Sequence, residues 1–274
     1  MWITTLVENT VNRSGLMAEH GLSVLLEMED EAILFDTGQG RALIHNAAEM
    51  GIDLSKIGKI VLSHGHSDHT GGLGDALKAS GGADVYGHPN LFDERYSKTR
   101  CERRSIGIPY TRECLQLRGA KLHLSKAPIQ VTQSIQTTGE IKRQTDFETI
   151  HERLCVIRDG MLVRDDLLDD LSVIVTGQEG VAVIFGCGHS GVINTLIQVR
   201  QMIGDTPISM VIGGIHLMDA ATDIIDRTVR ELKRFDIGKL ALCHCTGTLA
   251  MIKLYEAFGD KMLFHHVGTQ IEWN

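Results

Sequence analysis

The chain alternates short apolar runs with amphipathic stretches, an order that predicts strands followed by helices. Runs rich in aliphatic and β-branched residues, bounded by polar or glycine-containing segments, are typical of buried strands. They occur at residues 22–28, 32–36, 59–62, 84–87, 171–176, 181–185, 208–212 and 239–243. Helical spacing of apolar residues follows at 41–50, 73–79, 192–202 and 222–235, and again after Gly247. Residues 90–148 are the least periodic part of the chain.

The predicted strands group into two halves. In the first, the runs at 22–28 and 32–36 flank Glu29-Asp30-Glu31, which is typical of a hairpin with a polar turn. In the second, three successive strands each end in a glycine turn that carries a histidine: His189, His216 and His244. This pattern predicts an α/β protein in which two facing mixed sheets are covered by helices, an αββα sandwich. We expect one domain over residues 1–274, with the strand-end loops converging at one edge.

The segment after the strand at 59–62 carries the densest chemistry of the chain. His64-Gly65-His66-Ser67-Asp68-His69 places three imidazoles and a carboxylate at the carboxyl end of a predicted buried strand, where α/β proteins usually bear their active sites. Imidazole and carboxylate together suit zinc, manganese or iron better than calcium or magnesium, and zinc is favoured. We assign His64 and His66 to a first divalent ion. Asp68 and His69 are assigned to a second, because the four ligands split into two pairs. The two ions of dinuclear hydrolytic sites lie about 3.5–4 Å apart.

Composition disfavours some partners and indicates a location. The formal net charge is −8 and most basic residues are scattered, which disfavours nucleic acid. The start of the chain lacks the regions of a signal peptide, and no stretch approaches the roughly 20 apolar residues of a membrane-spanning helix. The six cysteines are scattered except for Cys243-His244-Cys245, and we expect reduced thiols in a cytoplasmic protein. A homo-oligomer is left open.

A few polar segments suggest an anionic substrate, each with an alternative explanation. A basic cluster in residues 95–104 is either a solvated helical face or an entrance that attracts an anion. Its members are Arg95, Lys98, Arg100, Arg103 and Arg104. Ser190-Gly191 and Thr246-Gly247 open predicted helices, where hydroxyl residues either hold phosphate or only cap the helix.

Several motifs together carry a family resemblance. The His-x-His-x-Asp-His motif, preceded by a strand that ends in Asp36-Thr37-Gly38, resembles the signature of the metallo-β-lactamase superfamily. One branch, whose members are named dihydropterin–ribofuranosyl-aminobenzene-phosphate synthase, is similar in further segments. They are Glu19-His20-Gly21-Leu22-Ser23, Gly139-Glu140-Ile141, Gly186-Cys187-Gly188-His189-Ser190-Gly191, Gly213-Gly214-Ile215-His216-Leu217 and His244-Cys245-Thr246-Gly247. The resemblance covers nearly the whole chain and implies the αββα fold and a metal-dependent hydrolase.

The resemblance also extends the expected ligand set. His244 looks like the last-motif histidine of the superfamily, a ligand of the second ion. His189 stands at or beside the place of a bridging aspartate, and Cys187 is the alternative there. The superfamily's usual histidine before this strand is missing. Either Asp169 or Asp170 replaces it, or the first ion has fewer protein ligands.

Other residues are assigned supporting roles. His216 is expected beside the ions without binding them, as a substrate-binding or acid–base residue. Asp68 is expected both to bind an ion and to orient water. His20 and His88 are candidates for the pocket or for structural roles, and Asp36 either orients an imidazole or shapes a turn. A structural role is expected for the remaining histidines, which are His45, His123, His151, His265 and His266.

Three functions compete at this stage. The first is a metal-dependent hydrolase that uses metal-bound hydroxide on a small anionic substrate, for which a phosphoester is favoured. The second, implied by the branch name, is a synthase that joins a pterin to a ribofuranosyl-aminobenzene phosphate. The third is a non-catalytic or redox metal-binding module.

Overall fold

Strands and helices alternate through the computed structural model, which describes residues 1–29 and 31–273. The strands, in chain order, are β1 (Trp2–Val7), β2 (Ser23–Glu27), β3 (Ala32–Phe35), β4 (Ile57–Val61), β5 (Ala83–Gly87), β6 (Arg95–Lys98), β7 (Arg103–Ser105), β8 (Ala120–Leu124), β9 (Ile135–Thr137), β10 (Leu154–Arg158), β11 (Met161–Arg164), β12 (Ser172–Gly177), β13 (Gly180–Phe185), β14 (Ile208–Gly213), β15 (Lys239–Leu242) and β16 (Gln270–Glu272). The α-helices are α1 (Leu43–Glu49), α2 (Ser67–Thr70), α3 (Leu73–Ser80), α4 (Arg112–Leu117), α5 (Val192–Ile203), α6 (Thr222–Leu232) and α7 (Thr248–Phe258). Short 3₁₀ turns lie at Leu54–Lys56, Pro89–Phe92, Lys233–Phe235, His244–Thr246 and Gly259–Lys261.

The chain forms two compact units, which are described separately. Unit 1 comprises Met1–Lys126, Ile150–Asp169 and His266–Glu272. Unit 2 comprises Ala127–Thr149 and Asp170–His265, together with Trp273. The single domain expected over residues 1–274 stays a prediction.

A seven-stranded mixed sheet forms the centre of unit 1, in the order β16-β1-β2-β3-β4-β5-β8. Its β3/β4, β4/β5 and β5/β8 pairs are parallel, and the other pairs are antiparallel. Leu34, Ile60 and Val85 of the central strands are fully buried and share an apolar cluster with Leu43 of α1 and Leu77 of α3. A second, antiparallel sheet has the order β11-β10-β6-β7. The carboxyl end of β4, where the predicted metal motif begins, therefore lies between β3 and β5 inside a well-packed sheet.

Unit 2 is built on a five-stranded mixed sheet in the order β15-β14-β13-β12-β9. The pairs β13/β14 and β14/β15 are parallel, and β12 runs antiparallel to both of its neighbours. Val183 and Phe185 of β13 lie in one apolar cluster with Leu196 of α5 and Leu254 of α7. Because β13, β14 and β15 are parallel, the loops that follow them leave the sheet at the same edge.

Most elements predicted from the apolar pattern are confirmed, and the structure adds several that were not predicted. The predicted hairpin is present as β2 and β3, with Val24 opposite Phe35; Asp30, in its predicted turn, lies outside the described residues. The terminal strands β1 and β16, the strands β8 to β11 and the helix α4 were not predicted. The helical face considered for residues 95–104 is wrong, because this segment forms a hairpin of β6 and β7 with Ser97 opposite Arg104.

Candidate metal centre

The motif residues leave β4 on a loop that turns directly into the short helix α2. The loop at 62–66 carries His64 and His66, and α2 carries Asp68 and His69. His64 and His69 are fully buried, whereas the Asp68 side chain is 16% exposed. The ring centroid of His64 lies 4.5 Å from that of His66 and 4.4 Å from that of His69. The local turn alone thus gathers the four predicted donors in unit 1.

His64 and His66 present two ring nitrogens to one point. Nε2 of His64 lies 2.9 Å from Nδ1 of His66. That separation is close to the roughly 3.3 Å between two nitrogens bound tetrahedrally to one zinc ion at about 2.0–2.1 Å. Ser63 Oγ donates to Asp36 Oδ2 at 2.7 Å and so accepts from His64 Nδ1 at 2.8 Å. His64 Nε2 is then the unprotonated nitrogen, the form that metal binding requires.

Asp36 sets the tautomer of His69 as well. Its Oδ2 accepts a hydrogen bond from His69 Nδ1 at 2.7 Å, and both side chains are fully buried. Nε2 of His69 is therefore the nitrogen left for a metal, and it lies 3.7 Å from Asp68 Oδ2. Asp36 also has a φ of 57° and accepts from Ser63 N at 2.8 Å. Both roles considered for Asp36, orienting an imidazole and shaping the turn, are observed.

The two histidines considered for the pocket have different surroundings. His20 Nε2 lies 3.4 Å from Asp68 Oδ2, and the His20 side chain is 58% exposed, so His20 stands beside the motif at the surface of unit 1. His88 is fully buried, and its Nδ1 accepts from Asn90 N at 3.1 Å at the start of a 3₁₀ turn. This contact favours the structural role of His88.

The two aspartates considered as replacement ligands are engaged by protein groups. Asp169 Oδ1 accepts from Arg95 Nη2 and its Oδ2 accepts from Gly65 N, both at 2.7 Å. In unit 2, Asp170 Oδ2 accepts from Ser190 N at 2.8 Å, and burial raises the pKa of this carboxyl. Within the described chain, neither aspartate belongs to a group of donor atoms lying within 4.8 Å of one another. Asp169 instead holds the backbone between His64 and His66.

The strand-end histidines of unit 2 follow three parallel neighbours, as predicted. His189 follows β13, His216 follows β14 and His244 follows β15. Donor atoms of Cys187, His189 and His216 lie within 4.8 Å of one another, and the rings of His189 and His216 have centroids 4.2 Å apart. His216 was expected beside the ions without binding them, and the geometry also makes it a candidate ligand.

Cys245 is a candidate donor that the sequence did not single out. Its sulfur lies within 4.8 Å of the donor atoms of Cys187 and His244, and it is buried. Burial by itself raises the pKa of the Cys245 thiol. The hydrogen bond with Cys187 and the charges of His244 and His216 outweigh burial and hold that pKa well below its usual value. The available signal was the closely spaced Cys243-His244-Cys245 segment.

The phosphate-binding position expected at Ser190-Gly191 needs correction, whereas the one expected at Thr246-Gly247 stays a prediction. At the start of α5, Glu148 accepts from Ile193 N at 2.8 Å and from Asn194 N at 2.9 Å, so a carboxylate of the chain already takes these helix N–H groups.

The basic cluster of residues 95–104 is only partly at the surface. Arg95 is 1% exposed and does not act as a surface cation. Arg103 and Arg104 of β7 are exposed. Lys98 and Arg100 are exposed as well, so the members of the cluster other than Arg95 could still attract an anion.

Contacts of the remaining histidines agree with structural roles. His45 Nε2 bonds to Gly15 O at 2.7 Å, and His123 Nε2 bonds to Asp84 Oδ1 at 2.8 Å. The others bond within short turns or to a neighbouring strand: His151 with Arg153 N, His265 with Ala241 O and His266 with Thr269.

Comparison with known proteins identifies the class. The sequence profile of the metallo-β-lactamase superfamily matches residues 17–193. A Methanocaldococcus jannaschii protein named 7,8-dihydropterin-6-methyl-4-(β-D-ribofuranosyl)-aminobenzene-5'-phosphate synthase is 31% identical over 285 residues, which cover 99% of this chain and 96% of that protein. The crystal structure of Tm1679, described as a metal-dependent hydrolase of the β-lactamase superfamily, is 26% identical with a TM-score of 0.85, covering 99% of this chain and 98% of that one. Zn²⁺-bound PqqB from Methylobacterium extorquens shares the fold at 11% identity and a TM-score of 0.61, covering 99% of this chain and 100% of that one.

The chain belongs to the metallo-β-lactamase superfamily. The predicted α/β fold and the family resemblance are thereby confirmed, and the similar proteins include one named as a synthase and one as a metal-dependent hydrolase. Clusters of histidine, aspartate and cysteine donors agree with metal binding. Among the described residues, no helix has the length and apolar character needed to cross a bilayer.

Proposed function

We propose that this protein is a metal-dependent hydrolase of a small anionic substrate, with a phosphoester as the favoured class. Its ligands for one or two divalent ions, with zinc favoured over manganese or iron, are His64, His66, Asp68, His69, His189 and His244. The observation that carries the proposal is the fixed tautomer of His64 and His69. Both rings have Nδ1 hydrogen-bonded into the Ser63–Asp36 network, which leaves each Nε2 unprotonated for a metal.

In the proposed reaction, the metal ion and the side chains of the protein have different roles. When bound, a divalent ion of this kind activates water and polarises an ester oxygen. Asp68, whose side chain is partly exposed, is proposed both to bind an ion and to orient water. His216 is proposed as an acid–base or substrate-binding residue at the end of β14. Asp36 keeps the imidazoles aligned and takes no part in the reaction itself.

The arginines of β7 support an anionic substrate. Directly after β7, Ile106 O accepts from Ser67 N at 2.8 Å, and Gly107 forms a bridge with His66. The exposed Arg103 and Arg104 therefore lie on a strand that leads into the metal motif. Positive charge at the approach to a site raises the local concentration of anions.

Turnover of a phosphoester panel by metal-loaded protein tests the proposal. Hydrolysis of a phosphomonoester or phosphodiester is expected with zinc or manganese and is expected to collapse in Asp68→Asn. Replacing Arg103 and Arg104 with Gln should raise KM more than it lowers kcat, because these residues attract substrate without contacting the reacting atoms. Lys121→Gln, an exposed change on β8, is the matched control. Metal-loaded protein that hydrolyses no phosphoester, thioester or lactone would contradict the proposal.

A synthase is the second candidate, because a relative of that name is 31% identical over 99% of this chain. Binding of a reduced pterin without phosphoester hydrolysis would favour it. We further propose a cytoplasmic location and no nucleic-acid partner, the latter supported by the net charge of −8. A homo-oligomer is left for measurement.

A further inference from the structure

Two thiols lie among the imidazoles of unit 2. Sγ of Cys187 and Sγ of Cys245 lie within 4.8 Å of each other and of a ring nitrogen of His244. All three residues are buried, with 3% of Cys187, 5% of His244 and 5% of Cys245 exposed. Two sulfurs bound to one zinc ion at about 2.3 Å lie no more than about 4.6 Å apart. A separation of at most 4.8 Å is therefore compatible with two ligands of a single ion.

The backbone around Cys245 is shaped to accommodate its sulfur. Gly214 follows β14, and a Cβ at this position would lie 2.6 Å from Cys245 Sγ and 2.7 Å from Gly186 O. Only glycine leaves this space open without a shift of the surrounding backbone. His216 N donates to Cys245 Sγ at 3.3 Å. This N–H fixes the position of the sulfur against the loop that follows β14.

A further contact joins Cys245 to the backbone of Cys187. Cys245 Sγ donates to Cys187 O at 3.5 Å, a contact that connects the loops after β15 and β13. Cys243 offers a contrast, because it is also buried and stands next to His244 but belongs to no donor group of the described residues. Cys187 and Cys245 are thus placed as possible metal ligands, whereas Cys243 is not.

We propose that Cys187, Cys245 and His244 form a thiolate–imidazole site for a soft or borderline divalent ion such as zinc, cadmium or cobalt. On binding, each thiol releases its proton to solvent and two thiolates neutralise the ion. The site shares His244 with the proposed hydrolase but does not depend on hydrolysis. Sulfur ligands select zinc and cadmium over manganese and magnesium. The site is therefore expected to retain zinc when manganese is in excess.

Optical titration of the full-length, metal-free chain with cobalt tests the proposal. Thiolate bound to cobalt gives a sulfur-to-metal charge-transfer band in the near ultraviolet, and imidazole and carboxylate do not. The band is expected in the wild type, weaker in Cys187→Ser and in Cys245→Ser, and absent in the double variant. Cys243→Ser is the matched control and should keep the band. Circular dichroism shows whether each variant is folded.

Two further measurements separate this proposal from the proposed hydrolase. The variant His66→Ala/Asp68→Ala should lose phosphoester hydrolysis and keep the charge-transfer band, because neither residue belongs to the thiolate site. On the unmodified chain, ¹¹³Cd NMR should place one cadmium resonance in the downfield region of sulfur ligation, which needs no variant to fold. Bound cobalt without the band, a band that survives in the double cysteine variant, or a cadmium shift typical of nitrogen and oxygen ligands would overturn the proposal.

Discussion

Three residues of the candidate site have a backbone conformation that side chains other than glycine seldom adopt. The angle φ is 57° at Asp36, 49° at His216 and 53° at His244. Each such residue costs on the order of 1–3 kcal/mol, which the rest of the fold must offset. All three follow the end of a strand. The same conformation also occurs at Asp159, Leu167 and Asp236, outside the candidate site, and at Asp36 a buried network of hydrogen bonds holds it.

Asp36→Asn is expected to weaken metal binding by about 10–100-fold, the range for partners that orient a ligand. An amide has one acceptor oxygen in place of two, so it cannot accept from Ser63 N at one position and from Ser63 Oγ and His69 Nδ1 at the other, as the carboxylate does. Metal competition with a chromophoric chelator measures the affinity. Asp84→Asn, which alters an aspartate–histidine pair with His123 outside the motif, should leave it unchanged. Equal affinities in the two variants would contradict an orienting role for Asp36.

His66→Ala is expected to remove the first ion and Asp68→Ala the second, because each loses a donor of one assigned pair. Elemental analysis of the purified variants by mass spectrometry gives the metal content per chain. His123→Ala, which changes an exposed histidine away from the motif, should keep the content of the wild type. Full metal content in a folded His66→Ala/Asp68→Ala variant would show that the assignment is wrong.

At the scale of elements, strand β6 supports the loop that carries the motif. Arg95 of β6 donates from Nε to Asp165 Oδ2 and from Nη2 to Asp169 Oδ1, both at 2.7 Å. Asp169 in turn accepts from Gly65 N at 2.7 Å. A Cβ at Gly65 would lie 2.3 Å from Leu91 O and 2.4 Å from Arg95 Nη1, so the loop packs closely on this network. The buried arginine thus supports the motif loop.

Asp169→Asn and Asp165→Asn form a matched pair that tests this support. Each removes one carboxylate from Arg95 and should lower the free energy of unfolding by about 1.5–3 kcal/mol, the range for a hydrogen bond to a charged group. Only Asp169 also contacts Gly65, so only Asp169→Asn should weaken metal binding as well. Chemical denaturation and metal competition measure the two effects. A similar loss of metal affinity in both variants would point to general destabilisation.

At the scale of the whole molecule, metal binding should appear as added stability. A ligand that binds only the folded state at about 100 times its Kd adds about 2.7 kcal/mol to the free energy of unfolding. We therefore expect zinc to raise the Tm and a chelator to reverse the rise, as followed by circular dichroism. His64→Ala/His66→Ala should show a smaller shift. An unchanged Tm on addition of zinc would contradict a structural contribution from the ion.

Local features of the sequence were sufficient to predict most of the central strands and the metal-binding motif. The run before His64 is apolar and the residues after it are polar and glycine-rich, so the end of β4 follows from neighbouring residues alone. The same holds for the histidine turns after β13, β14 and β15. The family resemblance then identified His244 as a candidate ligand. The predicted strands and the motif need only residue type and spacing within a few positions, whereas the assignment of His244 also needed the family resemblance.

The tertiary structure decided which partners the charged and polar side chains meet. Arg95 looked like part of a surface cluster, yet it is buried against carboxylates 70 and 74 positions away. Glu148 takes the N–H groups at the start of α5 from 45 positions away, which no helix-start pattern reveals. Cys245 became a candidate donor because β13 and β15 both flank β14. Residue type and spacing determine which chemistry a segment can perform. The long-range packing of strands determines whether that chemistry is directed at a metal or used to hold the fold together.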